Sequence, residues 1–284
     1  MRRARRAGWL PTVFAAALLL ALGGGRQAAV AQSPTGDLVA RTSLRVCADP
    51  SDLPFSNEKG EGFENKIAEL LGREMSLPVE YVWYPQVIGF LRNTLWAGRC
   101  DLVMGTVAGD GELDTTNPYY YTSYVLVFRN DVDPPFSGLD DPRLKELRIG
   151  VISGTPPADL VLRHGLMGRA RPYPLTVDTR VDAPSRRMIE DVAARSIDAG
   201  VLWGPLAGYY IRREKLPLGV ALLKGEPSAP RMDYHIAMGV RHNEPDWRRK
   251  INGLIRSKQG EINQILLDYG VPLLDEQGGT LVSR

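Results

Sequence analysis

Long apolar runs are nearly absent from this 284-residue chain. The one that stands out, residues 14–22, is shorter than the roughly 20 residues a membrane-crossing helix needs. No later stretch reaches that length, so no membrane insertion is expected after processing. Histidine is scarce: His164, His235 and His242 are scattered and share no ligand spacing. Asp131-Val132-Asp133 opens like a calcium loop but runs straight into Pro134-Pro135, without the alternating ligands and central glycine such a loop requires. No metal site is expected, and no cofactor. With Cys47 and Cys100 alone, no disulfide framework beyond a single bridge can form. Neither a solenoid-length repeat nor a low-complexity segment is present.

A basic surplus is missing too, once the N-terminus is set aside. Arg2, Arg3, Arg5 and Arg6 precede the apolar run, and Ala29-Val30-Ala31 forms a small-residue cleavage site. Residues 1–31 therefore read as a secretory signal peptide, by general export rather than the twin-arginine route. With Arg26, that segment holds five arginines and no acids. Its removal takes the 35 basic residues to 30 against 33 acidic ones, a net charge near −3. No basic face for nucleic acid or anionic lipid is implied. Export places the mature chain in the periplasm, an oxidising compartment where Cys47 and Cys100 either form one bridge or stay as two buried thiols. Cys47 ends one strand and Cys100 precedes another, so a bridge requires local bending to bring the Cα atoms within about 7 Å.

What is present is organised around residues 114–129. Thr115, Thr116, Asn117 and Pro118 supply turn chemistry, and the run of Tyr, Val, Leu and Phe that follows suits a half-buried strand. It lies between two α/β units and reads as a strand crossing from one lobe to the next. Tyr119, Tyr120, Tyr121 and Tyr124 then either face a cleft between lobes or fill a core, since alternation sends neighbours to opposite faces.

A polar linker, 32–42, leads into the first unit. Strands are expected at 43–48, 79–84 and 101–106. The helix between the first two is marked by Phe63, Ile67, Leu70 and Leu71, and a shorter one spans 90–97. This β-α-β-α-β order implies a parallel sheet with ligand chemistry at the strands' C-terminal ends, which carry Asp49, Tyr84 and Thr106. The second unit restarts at 147–152. Gly154 and Thr155 follow, Thr155 as a helix N-cap with Pro156 at the first helical position. A weak strand at 175–177, a helix at 185–194, a strand at 199–203 and a helix through Tyr209 and Tyr210 complete it. A strand at 231–240 returns to the first lobe, followed by two helices around 247–255 and 262–266 and a flexible tail, 277–284. The lobes are expected to comprise 43–127 with 234–276, and 128–233.

Export, two α/β lobes and a C-terminal return resemble a type II periplasmic solute-binding protein, a fold that closes on ligands by hinge motion. The amino-acid-binding branch of that family carries three recurrent charge contacts. Of these, Gly154-Thr155 is present. The arginine position before the Asn-Pro-Tyr turn falls near Gly109, in a stretch (107–116) with no basic residue, and the second-lobe aspartate position reads Gly204. A zwitterion with two unmatched ends would be costly to bury, which argues against a conventional amino-acid receptor. The wording of 47–57, 60–72, 100–106, 115–127 and 201–210 is similar to the MoxJ/XoxJ group, periplasmic proteins that accompany PQQ-dependent methanol dehydrogenases. That resemblance implies an accessory role in maturation or activation of a calcium or lanthanide quinoprotein dehydrogenase, and no enzyme activity.

The predicted cleft rim comprises Phe55, Trp83, Tyr84, Tyr119, Tyr120, Tyr121, Trp203, Tyr209 and Tyr210, with Asp49, Thr106 and the backbone at Gly154 and Thr155. Aromatic anchors with few fixed charges suit an apolar segment of an apo or partly folded dehydrogenase. Two alternatives remain. One is a receptor delivering a small molecule such as PQQ to a permease, for which no cluster of Arg or Lys is found at the strand ends. The other is a periplasmic dehydratase-like enzyme using Asp49, Asp110, Glu112 or Asp114, which no spacing pairs with a histidine or nucleophile.

Overall fold

The computed structural model describes residues 41–175, 177 and 181–277. The expected signal peptide (1–31), residues 32–40 of the expected linker, residues 278–284 of the expected tail, and Thr176 within the expected weak strand lie outside the described residues. The described chain opens with strand β1 (Leu44–Ala48), a short hairpin of β2 (Ser51–Asp52) and β3 (Ser56–Asn57), helix α1 (Phe63–Met75) and β4 (Val79–Trp83). A one-turn α2 (Phe90–Asn93), β5 (Leu102–Val107) and β6 (Asp114–Thr115) lead to the ten-residue β7 (Tyr120–Arg129). Beyond it follow β8 (Ile149–Ile152), α3 (Pro156–Arg163), β9 (Ala170–Tyr173), α4 (Pro184–Ala193), β10 (Ala199–Trp203), α5 (Gly204–Arg213) and β11 (Leu218–Leu222). Strand β12 (Asp233–Val240) and the 24-residue α6 (Pro245–Asp268) come last.

The main strands run in the order β4-β1-β5-β12-β7-β10-β8-β9. Strand β1 lies parallel between β4 and β5, and β8 lies parallel between β10 and β9. The strands joining these two parallel sets, β7 and β12, run antiparallel. Strand β7 crosses between the lobes. Tyr120–Ser123 pair with β12, and from Tyr124 onward its partners are β10 and β11. Each lobe has its own core. In the first, Phe63, Ile67 and Leu71 of α1 pack with Met104, Met238 and Ile251. In the second, Leu126, Ile149 and Val201 form one cluster and Val127, Met188 and Val192 another.

Three local expectations need correction. The helix at 90–97 stops after one turn. Thr94 leaves helical geometry and donates its Oγ1 back to Phe90 O, and Gly98 turns the chain with φ +69°. The two C-terminal helices are one, because Trp247, Ile251, Ile255, Ile262 and Leu266 make a single buried stripe that carries the helix through Gly253 and Gly260. The second-lobe strand lies at 170–173, upstream of 175–177. Pro172 is accommodated there because β9 is an edge strand.

Cys47 and Cys100 are bridged, with Cα atoms 5.4 Å apart. Cys47 stands opposite Val103 in the ladder, and the chain before β5 bends so that Asp101 N donates to Arg45 O. Beside the bridge, the fully buried Asp101 side chain accepts from Arg45 and Arg241, both at 2.7 Å, with Arg41 at 3.8 Å. Burial opposes its ionisation, but the hydrogen bonds from the arginines hold its carboxyl below the ordinary aspartate range. One end of β5 is thus an acid surrounded by its own cations.

Candidate cleft site

The other end of β5 is built differently. The loop leaving β1 folds back as the β2–β3 hairpin and delivers Asp52 and Phe55. Helix α1 begins where this loop ends. Gly62 is required at that junction, because a Cβ there would lie 2.0 Å from Phe55 O. Asn65 Oδ1 accepts from Gly62 N and Asn57 N, which fixes the helix start against the hairpin. Glu64, in the first turn, is thereby aimed at the C-terminal end of β5. Gly105 makes room for it: a methyl group there would stand 2.5 Å from Glu64 Oε1.

These groups enclose a cavity of about 260 Å³. Its aromatic walls are Phe55, Tyr120 and Trp203. Thr106, Val107, Gln86 and Ile236 complete the lining, and Asp52 and Glu64 supply its charge. Trp203 comes from the second lobe. It sits at the start of α5, edge-on to Tyr124 at 4.9 Å and to Tyr234 at 5.6 Å. Among the described residues no Arg or Lys lines this cavity. Among the described residues, neither the Asp52 nor the Glu64 carboxylate takes a hydrogen bond or an ion pair. Burial, reinforced by Asp52, pushes Glu64 up to about 8. Burial, reinforced by Asp49, pushes Asp52 up to about 7.

A second cavity, about 440 Å³, adjoins the first through Asp52. It lies between Leu53 of the first lobe and Ile152, Arg186, Tyr210 and Arg213 of the second. Tyr210 spans the gap, donating its hydroxyl to Leu53 O at 3.4 Å.

Several residues expected on the rim have other work. Tyr119 is a core residue with 0% exposure, the alternative that strand alternation left open. Tyr120 is 3% exposed and contributes a wall rather than a protruding anchor. Tyr121 faces a different depression beside α6, edge-on to His235. Trp83 stacks on Tyr81 at 4.7 Å against the first-lobe core, and Tyr84 packs near the disulfide and accepts from Asn93 Nδ2. Tyr209 is buried against Tyr269, which ties α5 to the segment after α6. Asp49 is a loop organiser, accepting from Ser51 N and from Gln86 N. Gly154 and Thr155 line neither cavity. Thr155 does hold the N-cap position before Pro156, but both its hydroxyl and its N–H turn back to Ile152 O, so no carboxylate site is presented. Phe55, Thr106, Tyr120 and Trp203 are the expected residues brought together.

The four acids weighed for catalysis do not converge. Asp110 accepts from Thr106 Oγ1 and Glu112 N, Glu112 is exposed, and Asp114 pairs with His242 and Arg248. Among the described residues no group of three or more His, Cys, Asp and Glu could hold a metal ion, and no helix is long and apolar enough to cross a membrane.

The residues missed by sequence reading are Asp52, Glu64, Gln86, Gly105, Val107 and Ile236. A signal for Glu64 was available. It follows a Gly-Phe pair at a helix start, just after a loop that leaves a parallel strand's C-terminal end, where ligand sites form in such sheets.

With this geometry in view, comparison gives the class first. Residues 44–271 match the bacterial extracellular solute-binding proteins, family 3, and the chain belongs to that family. Its fold is the type II periplasmic binding fold, two α/β lobes with a mixed sheet flanked by helices. Among individual relatives, Protein MoxJ of Paracoccus denitrificans is 31% identical over 274 residues, covering 89% of this chain and 96% of that protein. The crystal structure of periplasmic binding protein XoxJ from Methylobacterium extorquens AM1 is 40% identical with a TM-score of 0.70, covering 82% of this chain and all of that one. MxaJ from Methlophaga aminisulfidivorans MPT, 24% identical with a TM-score of 0.72 and coverage of 82% and 100%, agrees in fold.

Proposed function

We propose that this chain is a periplasmic accessory binding protein for a PQQ-dependent methanol dehydrogenase, holding an apolar segment of the apo or partly folded enzyme in the cleft between its lobes. In this reading the lobes are 43–127 with 234–276, and 128–233, and the export signal delivers the chain to the compartment where its client matures.

The observation that carries the reading is the wall composition of the first-lobe cavity. Phe55 and Tyr120 from one lobe meet Trp203 from the other, and an apolar protrusion stands next to them. Gln86 of the lining leads directly into Val87 and Ile88, the latter 99% exposed, and Val107 is exposed at the cavity edge. Aromatic anchors beside exposed aliphatic residues match the composition of protein-binding hot spots better than that of a polar-solute pocket. Similarity to MoxJ and XoxJ supports the choice of client. Delivery of PQQ is disfavoured by charge. Among the described residues this polycarboxylate would meet two acids and no cation in the first cavity, while in the second Arg186 is engaged by Glu190 and Glu214 and Arg213 donates to the Tyr209 hydroxyl.

The test is retention of apo-dehydrogenase on immobilised mature protein. Wild type should retain it, and the double variant Trp203→Ala with Ile88→Ser should lose at least tenfold in affinity. Both positions are at least partly exposed, so the fold should survive. Absence of binding by wild type, or unchanged binding by the variant, overturns the reading.

A further inference from the structure

The apolar walls explain why a greasy segment would enter the cleft. They do not explain why two acids wait at its base. A carboxylate placed in an apolar cavity without a hydrogen bond or a counter-charge is unfavourable, and here two of them share one small space. Other buried or half-buried acids of this chain have their partners built in. Asp101 has Arg45 and Arg241, Glu244 has Arg41 and Arg241, and Asp198 has Arg148. Neither Asp52 nor Glu64 has any among the described residues. Gly105 adds a sign of construction, because its missing side chain leaves the space that Glu64 Oε1 occupies.

We propose that this cavity receives an organic cation, the ammonium or guanidinium of a Lys or Arg side chain carried by the bound client segment. Its charge lies between Asp52 and Glu64, and its stem lies along Phe55, Tyr120 and Trp203. This deepens the reading above and rests on it for the source of the cation. Three features fit this chemistry together. Aromatic faces attract a cation through their quadrupole, most strongly when water is excluded. Paired carboxylates supply the opposite charge. A volume of about 260 Å³ lies under the ~300–1,000 Å³ range of ordinary small-molecule sites, which suits one side chain better than a free polycyclic cofactor. The exposed Val87, Ile88 and Val107 at the mouth would cover the apolar residues flanking the basic one.

The acids also dictate how binding responds to pH. The titratable groups that feel them are Asp49, Tyr81, Tyr119, Tyr120 and Tyr210, while Asp182, Arg186, Arg213 and Glu214 share only the neighbouring cavity with Asp52. An entering cation favours the ionised carboxylates. Protons held by the empty cavity are therefore released on binding, and affinity rises as pH increases through the values near 7 and 8.

The experiment has two arms, run on the mature chain and on the double variant Asp52→Asn with Glu64→Gln, whose fold is checked by thermal unfolding. One arm titrates n-butylguanidinium by calorimetry in two buffers of different ionisation enthalpy, with n-butylurea as the neutral control. The other measures affinity for apo-dehydrogenase with and without n-butylguanidinium. Expected are binding of the cation but not the urea, proton release, competition with the dehydrogenase, and at least a tenfold loss of both affinities in the variant. If the dehydrogenase binds while n-butylguanidinium does not, and the variant behaves as wild type, the cation inference falls and the client reading stands. If n-butylguanidinium binds through the acids but the dehydrogenase does not bind, the client reading falls and the cavity is a site for free organic cations. Failure of both arms overturns both.

Discussion

Strand β5 carries an acid site at each end, and the two are opposites. At its N-terminal end Asp101 is fully buried, touches Arg45 and Arg241, and lies next to the Cys47–Cys100 bridge. At its C-terminal end Gly105, Thr106 and Val107 face Glu64 and Asp52, which have aromatic neighbours and, among the described residues, no cation. The first site is closed, with every charge answered from within the chain. The second is open, with acids that no described residue of the chain answers. Structural ion-pair clusters and binding sites both place carboxylates in low-dielectric surroundings, and what separates them is where the counter-charge comes from.

Removing either anion breaks the comparison in opposite directions. Asp101→Ala leaves Arg45 and Arg241 without their shared partner and should cost about 3–5 kcal/mol of stability, read by chemical denaturation. In the wild type, the contribution of Asp101 is complete above the ordinary aspartate range and is lost as pH falls through its lowered value, so acid should unfold the protein from this end. Loss of the bridge, by Cys47→Ser with Cys100→Ser, opens a loop of 53-residue separation and should cost about 2–5 kcal/mol. This is a second measure of how far the closed end carries the fold.

Glu64→Gln should act the other way. An acid raised in the folded state loses stability for the protein as pH rises from its unfolded value, near 4.5, toward about 8. The unliganded variant should therefore be more stable than wild type at pH 8, by about 1–2 kcal/mol after allowance for solvent at the cavity mouth, while binding is weakened. Gly105→Ala should give the smallest change. It displaces the flexible end of Glu64, so stability should shift by less than about 1 kcal/mol while cation affinity drops severalfold in calorimetry.

Much of the first lobe was legible because its elements are written in local pattern. The period of Phe63, Ile67, Leu70 and Leu71 marks α1, and the tyrosine-rich run after Pro118 marks a strand that does cross between lobes. Recognition of the fold rested on that order. Individual site residues were harder. Tyr119 stands just before β7 and Tyr120 begins it, and sequence offers no means of deciding that both are buried while only Tyr120 reaches the cavity. Tyr209 and Trp83 look like rim aromatics until Tyr269 and Tyr81 are seen stacked on them. Glu64 was hidden among the polar residues of an amphipathic helix. Its importance arises from Gly105, 41 positions away, and from the absence of a cation, a property of the assembled cavity rather than of any segment. The end of α2 and the continuity of α6 were misjudged for a related reason. Thr94 turns the chain through a local hydrogen bond, and the buried stripe of α6 overrides two helix-weakening glycines.

Residue-resolved carboxyl titration of the unliganded mature chain by NMR tests the contrast most directly. Asp101 should stay ionised to below the usual aspartate range, while Asp52 and Glu64 should titrate near 7 and 8 and move down together when n-butylguanidinium is added. Titration of Asp52 and Glu64 at ordinary carboxylate values, unmoved by the cation, would contradict the account.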